Sequence, residues 1–298
     1  MANDDNHVLK EISKKIEKIP PLPKVPHMAM QLMMKPDFNM KELSDIISQD
    51  QALTIKILRW SNSAYYGIGN PVNSIHQAVT YLGEHVIWSL LLTSAISSVL
   101  MQPLPGYDLE KGALWKHSLH TAIIARELIL KRNEKMAEEA YTGGLLCDIG
   151  KIAMDIAWQE QKENNGDESE EKEEIDERES SAADFIFLEQ SLFGINHTII
   201  GAKIAEIWGF PETLQETIRY HHTPSRADKN PIITSAVHIS DVIVNCLGIG
   251  IGIDGLQYYF EPYAMEQLGL DFKDIVSFMD NVVDLLAEIE HLLGVGGI

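Results

Sequence analysis

Apolar residues recur at helical spacing almost everywhere in this chain, and no window shows sustained alternation with a period of two. Helix start signals are frequent: Asn39 precedes Glu42, and Ser74 precedes Gln77, in the spacing by which the two side chains satisfy unpaired amides at a helix start. Gly83 is predicted to end a helix, because glycine adopts the left-handed backbone conformation at helix ends. The sequence therefore predicts an all-α fold.

The distribution of prolines, glycines and charges predicts four segments. A boundary is expected near Pro103–Gly106, where two prolines and a glycine interrupt the helical pattern. The predicted segments are an N-terminal extension (1–19), a helical bundle lobe (20–110), a second helical lobe (111–250) and a C-terminal helical appendage (251–298). Residues 160–180 of the second lobe form a strongly acidic insertion, predicted to be a solvated loop followed by an exposed helix.

The charge balance excludes some partners. Lysine and arginine number 24 against 44 acidic residues, a formal net charge of −20, which disfavours nucleic acid because phosphate binding depends on clustered basic residues. The longest apolar stretch, Val86–Met101, is interrupted by serines and a threonine and predicts a buried helix instead of a membrane span. We therefore expect a cytoplasmic monomer or dimer that binds neither nucleic acid nor membrane.

Histidines and aspartates of the second lobe form the candidate site. Imidazole and carboxylate groups that converge from several helices suit Fe, Mn or Zn. Each of these residues alone is more typical of a hydrogen-bonded core position, and it is their order and local context that indicate a site. The candidates are His117, Cys147, Asp148, Lys151, His197, His221, His222 and Asp241.

The order of these residues resembles the HD superfamily of metal-dependent phosphohydrolases. The surrounding sequence more specifically resembles the HDOD family, which is related to the HD-GYP domains, over about residues 19–245. The segments that carry the resemblance are Ile19–Pro23, Ile47–Leu53, Leu58–Gly67, Ser74–Gly83 and Trp208–Pro211. The resemblance implies a helical lobe fused to an HD-like helical core, and a role as a bacterial signal-transduction output or scaffold protein.

Carried over from the HD pattern, a first metal position would take four residues: His117, Cys147, Asp148 and Asp241. In the binuclear relatives, residues like His197, His221 and His222 complete a second metal position. The lysine of the motif, here Lys151, would polarise a phosphate. The aspartate can serve both ions because a carboxylate has two oxygens, and the ions would lower the pKa of a bridging water.

Two departures from this pattern bear on function. Cys147 stands where the signature histidine is expected, and a thiolate is softer than imidazole and lies farther from the metal. Thr223–Arg226 follows the paired histidines in place of a Gly-Tyr-Pro segment, which puts hydrolysis of cyclic di-GMP in doubt. The sequence therefore favours a non-catalytic protein that acts by binding a protein or a small ligand. The alternative is a metal-dependent phosphohydrolase with an altered site.

The state of the site is left open by the sequence. One interpretation is a retained centre with one or two Fe, Mn or Zn ions. The other is a metal-free remnant, with Cys147 on a buried helix that ends at Gly150 and Asp148 accepting a hydrogen bond from His117. Residues Gly250–Gly255 match the pattern GxGxxG, but no strand precedes them, so a turn is predicted instead of a dinucleotide site.

Overall fold

A computed structural model describes residues 15–66, 69–165, 182–254 and 259–293. These residues contain helices and turns, with a single isolated bridge between Leu104 and Leu109 and no β-strand. The helices are α1 (Lys24–Met33), α2 (Met40–Ile47), α3 (Gln51–Ser61), α4 (Ile75–Leu100), α5 (Ala113–Leu130), α6 (Glu134–Leu146), α7 (Gly150–Asn165), α8 (Ala182–Phe193), α9 (His197–Ile207), α10 (Glu212–Tyr220), α11 (Pro231–Cys246), α12 (Pro262–Leu268) and α13 (Phe272–Leu293). The predicted all-α fold is confirmed.

Local signals in the sequence explain several helix ends. The side chain of Asn39 accepts a hydrogen bond from an amide in the first turn of α2. The Oγ of Ser74 accepts the amide of Gln77 at 3.2 Å at the start of α4. Gly83 interrupts α4 with φ 78° and ψ 171°, as its position in the sequence predicts.

The described residues fall into two compact units. One unit comprises those of Met1–Pro20 and Val99–Phe272, and the other comprises those of Pro21–Ser98 and Lys273–Ile298. Within the first unit, Lys15 and Lys18 both pair with Glu160 on α7, at 2.6 and 2.5 Å. Residues 166–181, which hold most of the predicted acidic insertion, lie outside the described residues.

Helix α4 is the one helix of the described chain that is long and apolar enough, by length and composition, to cross a bilayer. Its most apolar window is 56% buried within the protein, and its backbone is broken at Gly83. Core helices of globular proteins pass the same test of length and apolarity, so this helix is weak evidence for a membrane span.

Helices α5 and α11 belong to the predicted second lobe, which lies in the first compact unit, and both are buried on nearly every face. Helix α5 packs against both α6 and α11. A helix that is covered all round lies at the centre of its domain, so polar side chains on it need internal partners. His117 on α5 and Asp241 on α11 are such side chains, with exposures of 3% and 1%.

The chain turns sharply between α6 and α7, and here the structure corrects the sequence. Helix α6 ends at Leu146, so Cys147 and Asp148 lie in a turn and not on a helix that ends at Gly150. The hydrogen bonds across this turn join residues three apart, such as the amide of Ile149 to the carbonyl of Leu146. The cause is close packing: a Cβ on Gly150 would lie 1.9 Å from the carbonyl oxygen of His197, so α7 starts directly against α9.

Candidate metal centre

Five structural elements of the second lobe bring the predicted ligands together. His117 comes from α5, Asp148 from the turn after α6, His197 from the first position of α9, and Asp241 from α11. The paired histidines lie just after α10, where His221 caps the helix and His222 follows. Because α9 begins against Gly150, the first residue of α9 is held close to the turn that carries Asp148.

Asp148 is shared by two groups of buried side chains. One group contains Asp148, His197, His221 and His222, and the other contains His117, Asp148 and Asp241. In each group, the candidate ligand atoms lie within 4.8 Å of one another. Asp148 therefore belongs to both groups, whereas Cys147, predicted for the first metal position, belongs to neither.

The first of these, the histidine-rich group, is oriented by contacts made through Nδ1. The ring of His197 contacts the Glu189 carboxylate through Nδ1 at 2.8 Å, and its Nε2 lies 3.5 Å from Oδ1 of Asp148. The Nδ1 of His221 donates to the carbonyl of Ile218 at 2.7 Å, which leaves Nε2 as an acceptor 3.7 Å from the same Asp148 oxygen. A carboxylate or carbonyl that fixes one nitrogen of a histidine presents the other nitrogen to a metal.

In the second group, the His117 group, the histidine is paired with a carboxylate through Nε2. The Nε2 of His117 contacts Oδ1 of Asp241 at 2.8 Å and lies 3.4 Å from Oδ2 of Asp148. Its Nδ1 lies 3.3 Å from the carbonyl oxygen of Ile249. The nitrogen that would bind an ion is therefore already paired with a carboxylate.

Lys151 lies beside both groups and is held by two carboxylates. Its Nζ contacts Oδ2 of Asp148 at 3.0 Å and Oδ2 of Asp254 at 2.7 Å. All three side chains are buried, with exposures of 6% or less. The ammonium charge is therefore neutralised inside the protein.

The HDOD domain family matches residues 19–224, more than half of the chain. This chain belongs to the HDOD family. A relative from Treponema pallidum, an uncharacterized protein, is 26% identical over 241 residues, which is 79% of this chain and 44% of the relative. The chain thus spans less than half the length of that relative.

Three solved structures share the HDOD fold. An HDOD domain protein of unknown function from Geobacter sulfurreducens has a TM-score of 0.68 at 23% identity and covers 96% of this chain and 98% of its own. A Shewanella amazonensis protein, provisionally named a phosphohydrolase, has a TM-score of 0.65 at 23% identity, and the match covers 95% of this chain and 98% of that protein. A Marinobacter aquaeolei protein, provisionally named a signal transduction protein, has a TM-score of 0.67 at 19% identity, and the match covers 96% of this chain and 65% of that protein. At these identities the likeness shows the fold alone.

In this HDOD chain, burial and neighbouring charges shift the pKa of several site residues. Burial lowers the pKa of His197, but the Glu189 carboxylate outweighs burial, so the pKa lies above the ordinary 6.5. Burial likewise lowers the pKa of His117, but the Asp241 carboxylate outweighs burial and raises that pKa above 6.5. Burial raises the pKa of Asp148, but the Lys151 cation and the neighbouring histidines bring it well below its ordinary value.

Cys147 is buried beside the site but does not join either ligand group. Its Sγ donates to the carbonyl oxygen of Gly144 at 3.3 Å, within the last turn of α6. Burial, followed by the charges of Asp148 and Asp241, raises the pKa of the thiol well above its ordinary value. A protonated thiol is a poor metal ligand.

Three buried residues that do not appear in the sequence motif support the histidine-rich group. Glu189 on α8 accepts from the backbone amide of His197 and contacts its ring, and Tyr107 donates to Glu189 at 2.5 Å. His238 on α11 contacts the carbonyl oxygen of His221 through Nδ1 at 2.8 Å. In the sequence, Glu189 is visible only as a carboxylate eight residues before His197, and this spacing does not by itself predict a contact.

Several buried atoms at the shared carboxylate fit a bound cation. Oδ1 of Asp148, Nε2 of His221 and Oδ2 of Asp241 have no hydrogen-bond partner among the described residues. Each such atom is costly to bury, and each can ligate a metal. The donor set of imidazoles and carboxylates therefore fits the Fe, Mn or Zn ion that the family resemblance implies.

Proposed function

We propose that this chain is a signalling output or scaffold protein that acts by binding another protein or a small ligand, and that its HD-like site holds a divalent metal ion without turning over a substrate. The observation that carries the proposal is the enclosed state of Lys151, held between Asp148 and Asp254. Membership of the HDOD family and the provisional name of the Marinobacter aquaeolei structure agree with a signalling role.

The residues that would hold the ion are those of the histidine-rich group. His197 and His221 already direct Nε2 towards Asp148, so little side-chain ordering is left to be done on binding. When bound, an Fe, Mn or Zn ion would supply Lewis acidity and neutralise part of the buried negative charge. His222 completes this group at 3.1 Å from His197, measured between their Nε2 atoms.

Three features argue for binding over turnover. A lysine that polarises a phosphate needs a free charge, and the charge of Lys151 is already neutralised by two carboxylates. The signature histidine is replaced by Cys147, whose Sγ bonds to the Gly144 carbonyl oxygen. Asp148 and His221 are both fully buried, so a substrate would have to displace protein to reach them.

The second candidate function is a metal-dependent phosphohydrolase. The sharing of Asp148 between two ligand groups favours it, because two ions at such a carboxylate can activate one water between them. The provisional name of the Shewanella amazonensis structure agrees with this alternative.

A hydrolysis panel separates the two candidates. The protein, supplied with Mn, Fe or Zn, would be assayed against phosphomonoesters, nucleotides and cyclic dinucleotides beside an Asp148→Ala variant. Our proposal predicts equal background rates for both proteins with every substrate. Hydrolysis by the unaltered protein that Asp148→Ala abolishes would establish the enzyme. Equilibrium dialysis against the same nucleotides then tests for binding without cleavage.

A further inference from the structure

His238 lies behind the paired histidines and belongs to neither ligand group. It is 3% exposed on α11, three residues before Asp241, and its Nδ1 lies 2.8 Å from the carbonyl oxygen of His221. That carbonyl belongs to the peptide bond that joins His221 to His222. A single hydrogen bond to this peptide therefore restrains the backbone of two members of the histidine-rich group.

The other ring nitrogen of His238 faces the start of helix α12. The backbone amide of Glu261 donates to Nε2 at 3.0 Å, and the carbonyl oxygen of Tyr259 lies 3.1 Å from the same nitrogen. Burial lowers the pKa of His238 from its ordinary 6.5, so the ring is neutral and carries one proton. A proton on Nδ1 satisfies the His221 carbonyl and the Glu261 amide together, whereas a proton on Nε2 would serve the Tyr259 carbonyl alone. These contacts therefore favour the tautomer with the proton on Nδ1.

Helix α12 is held at both of its ends. At its start, the carboxylate of Glu261 accepts a hydrogen bond from Oγ of Ser225 at 2.7 Å. At its end, the guanidinium of Arg132, from the loop after α5, donates to the carbonyl oxygens of Gln267 and Leu268. The helix also packs against α11, which carries His238. These contacts keep the Glu261 amide in place against the imidazole ring.

We propose that His238 is a positioning residue through which helix α12 sets the metal affinity of the histidine-rich group. The Glu261 amide selects the tautomer, and the proton on Nδ1 then holds the peptide between His221 and His222. Ligands that are oriented before the metal arrives lose less conformational freedom on binding, so affinity is higher. The inference rests on the proposed function, and it extends the metal centre to a helix beyond the residues that the HDOD family matches.

Two replacements of His238 with the same branching at Cγ separate the hydrogen bond from packing. His238→Asn places an amide nitrogen where Nδ1 lies and keeps a donor for the His221 carbonyl, whereas His238→Leu has no donor. We expect the affinity for Zn, measured by competition with a chromophoric chelator, to fall about tenfold or more in His238→Leu and to stay within about threefold in His238→Asn. Val237→Ala is the control for lost packing, because Val237 is buried beside His238 on α11, and it should bind Zn like the wild type.

Removal of the Glu261 amide tests the connection to α12. Proline has no backbone N–H and fixes φ near −65°. Glu261 has φ −65°, so Glu261→Pro fits the backbone and deletes the donor to His238. Glu261→Ala loses the same carboxylate but keeps the amide, and we expect Zn affinity to be about fivefold lower in Glu261→Pro than in Glu261→Ala. This difference should disappear in the His238→Asn background, where the side-chain amide donates without help from α12.

Nitrogen NMR of the Zn-loaded protein reports the tautomer directly. Two-bond proton–nitrogen correlations distinguish a protonated ring nitrogen from an unprotonated one. We expect the proton of His238 on Nδ1 in the wild type and in Glu261→Ala. Glu261→Pro should increase the share of rings protonated on Nε2, because the Tyr259 carbonyl remains there as an acceptor. A purely structural role of His238 would leave the tautomer independent of the Glu261 amide.

Failure of this inference is distinguished from failure of the proposed function by measuring metal content in parallel. Equal Zn affinity in the wild type and His238→Leu, or equal losses in His238→Leu and His238→Asn, overturns the inference and leaves the proposed function standing. If His238→Leu does not fold, a wild-type proton on Nε2, or equal affinity of Glu261→Pro and Glu261→Ala, overturns it. Wild-type protein that binds no metal refutes the proposed function, and this inference with it.

Discussion

The two ligand groups that meet at Asp148 differ in how their histidines are held. In the histidine-rich group, His197 is fixed through Nδ1 by Glu189, and His221 by a backbone carbonyl, so Nε2 is directed at the shared carboxylate. In the His117 group, Nε2 is paired with Asp241 at 2.8 Å. The first arrangement directs its histidine nitrogens towards a shared carboxylate, whereas in the second the corresponding nitrogen is already paired with a carboxylate.

Cys147, which replaces the signature histidine, was predicted to belong to the His117 group. The family resemblance assigns Cys147 to the same position as His117 and Asp241, yet its Sγ bonds to the Gly144 carbonyl oxygen. That position thus keeps three candidate ligands, while the histidine-rich group keeps four. From this difference we expect one tightly bound ion, held by the histidine-rich group.

Asp148→Asn should produce the largest effect, because this residue belongs to both groups. We expect the affinity for Zn or Mn to fall by more than the roughly 10- to 100-fold that is typical for loss of an outer-shell partner. Competition titration with a chromophoric chelator measures it. Asp228→Asn, on the surface of the same lobe, is the control and should bind like the wild type. Wild-type affinity in Asp148→Asn would contradict the shared role.

Glu189→Gln and Asp241→Asn test which of the two groups holds the tightly bound ion. Glu189→Gln weakens the orientation of His197, so the affinity for the tight ion should fall by about 10-fold or more. Asp241→Asn removes a direct ligand of the His117 group, yet its effect on the tight ion should be under about 10-fold. The same competition titration ranks the two variants. The reverse order would place the tight ion in the His117 group.

The pH dependence of metal binding tests whether His197, of the histidine-rich group, is a ligand of the tightly bound ion. Glu189 raises the pKa of His197 above 6.5, so protons compete with the metal up to that raised value and affinity increases as pH rises through it. Glu189→Gln removes the cause and should move the midpoint of this increase to lower pH. Metal titrations at a series of pH values, done for both proteins, measure the midpoint. An unchanged midpoint would mean that His197 does not limit binding.

Stability of the metal-free protein should follow the opposite trend. A group whose pKa is raised on folding, as for His197, stabilises the fold fully below its unfolded pKa, and that contribution is lost as pH rises through the folded pKa. We expect the difference in melting temperature between the chelator-treated wild type and Glu189→Gln to shrink as the pH rises from below 6.5 through the raised pKa of His197. Thermal unfolding checks this, and a difference that grows with pH would contradict it.

Cys147→Ala should have the smallest effect on metal binding. Since the thiol belongs to neither ligand group, the affinity of the tight ion should stay within about twofold, while the loss of one buried heavy atom costs about 1 kcal/mol of unfolding free energy. Chelator competition and denaturant unfolding measure the two quantities. A large loss of metal would restore Cys147 as a ligand.

The sequence could predict the all-helical fold because helix formation depends on short-range patterns. Helical spacing, the cap at Asn39 and the break at Gly83 are local properties, and the structure confirms them. The position of Cys147 and Asp148 was predicted wrongly as helical, because the turn is imposed by packing of Gly150 against another helix. That contact joins residues far apart in the chain, and helix propensity does not report it.

The outer residues of the site were missed for a related reason. Glu189 precedes its histidine on a different helix, and Asp254 reaches Lys151 across a hundred residues of sequence from beyond the family match. No motif links such pairs, since only the tertiary fold brings them together. The glycine pattern Gly250–Gly255 was predicted to form a turn, and nothing in the sequence indicated that Asp254, which lies within it, would be buried against Lys151.

Elemental analysis tests the central claim most directly. The protein would be purified without chelators or a histidine tag, beside His221→Ala from the histidine-rich group and His117→Ala from the other group. The account predicts about one equivalent of Fe, Mn or Zn in the wild type, retained in His117→Ala and lost in His221→Ala. Wild-type protein without metal, or equal loss in both variants, would contradict it.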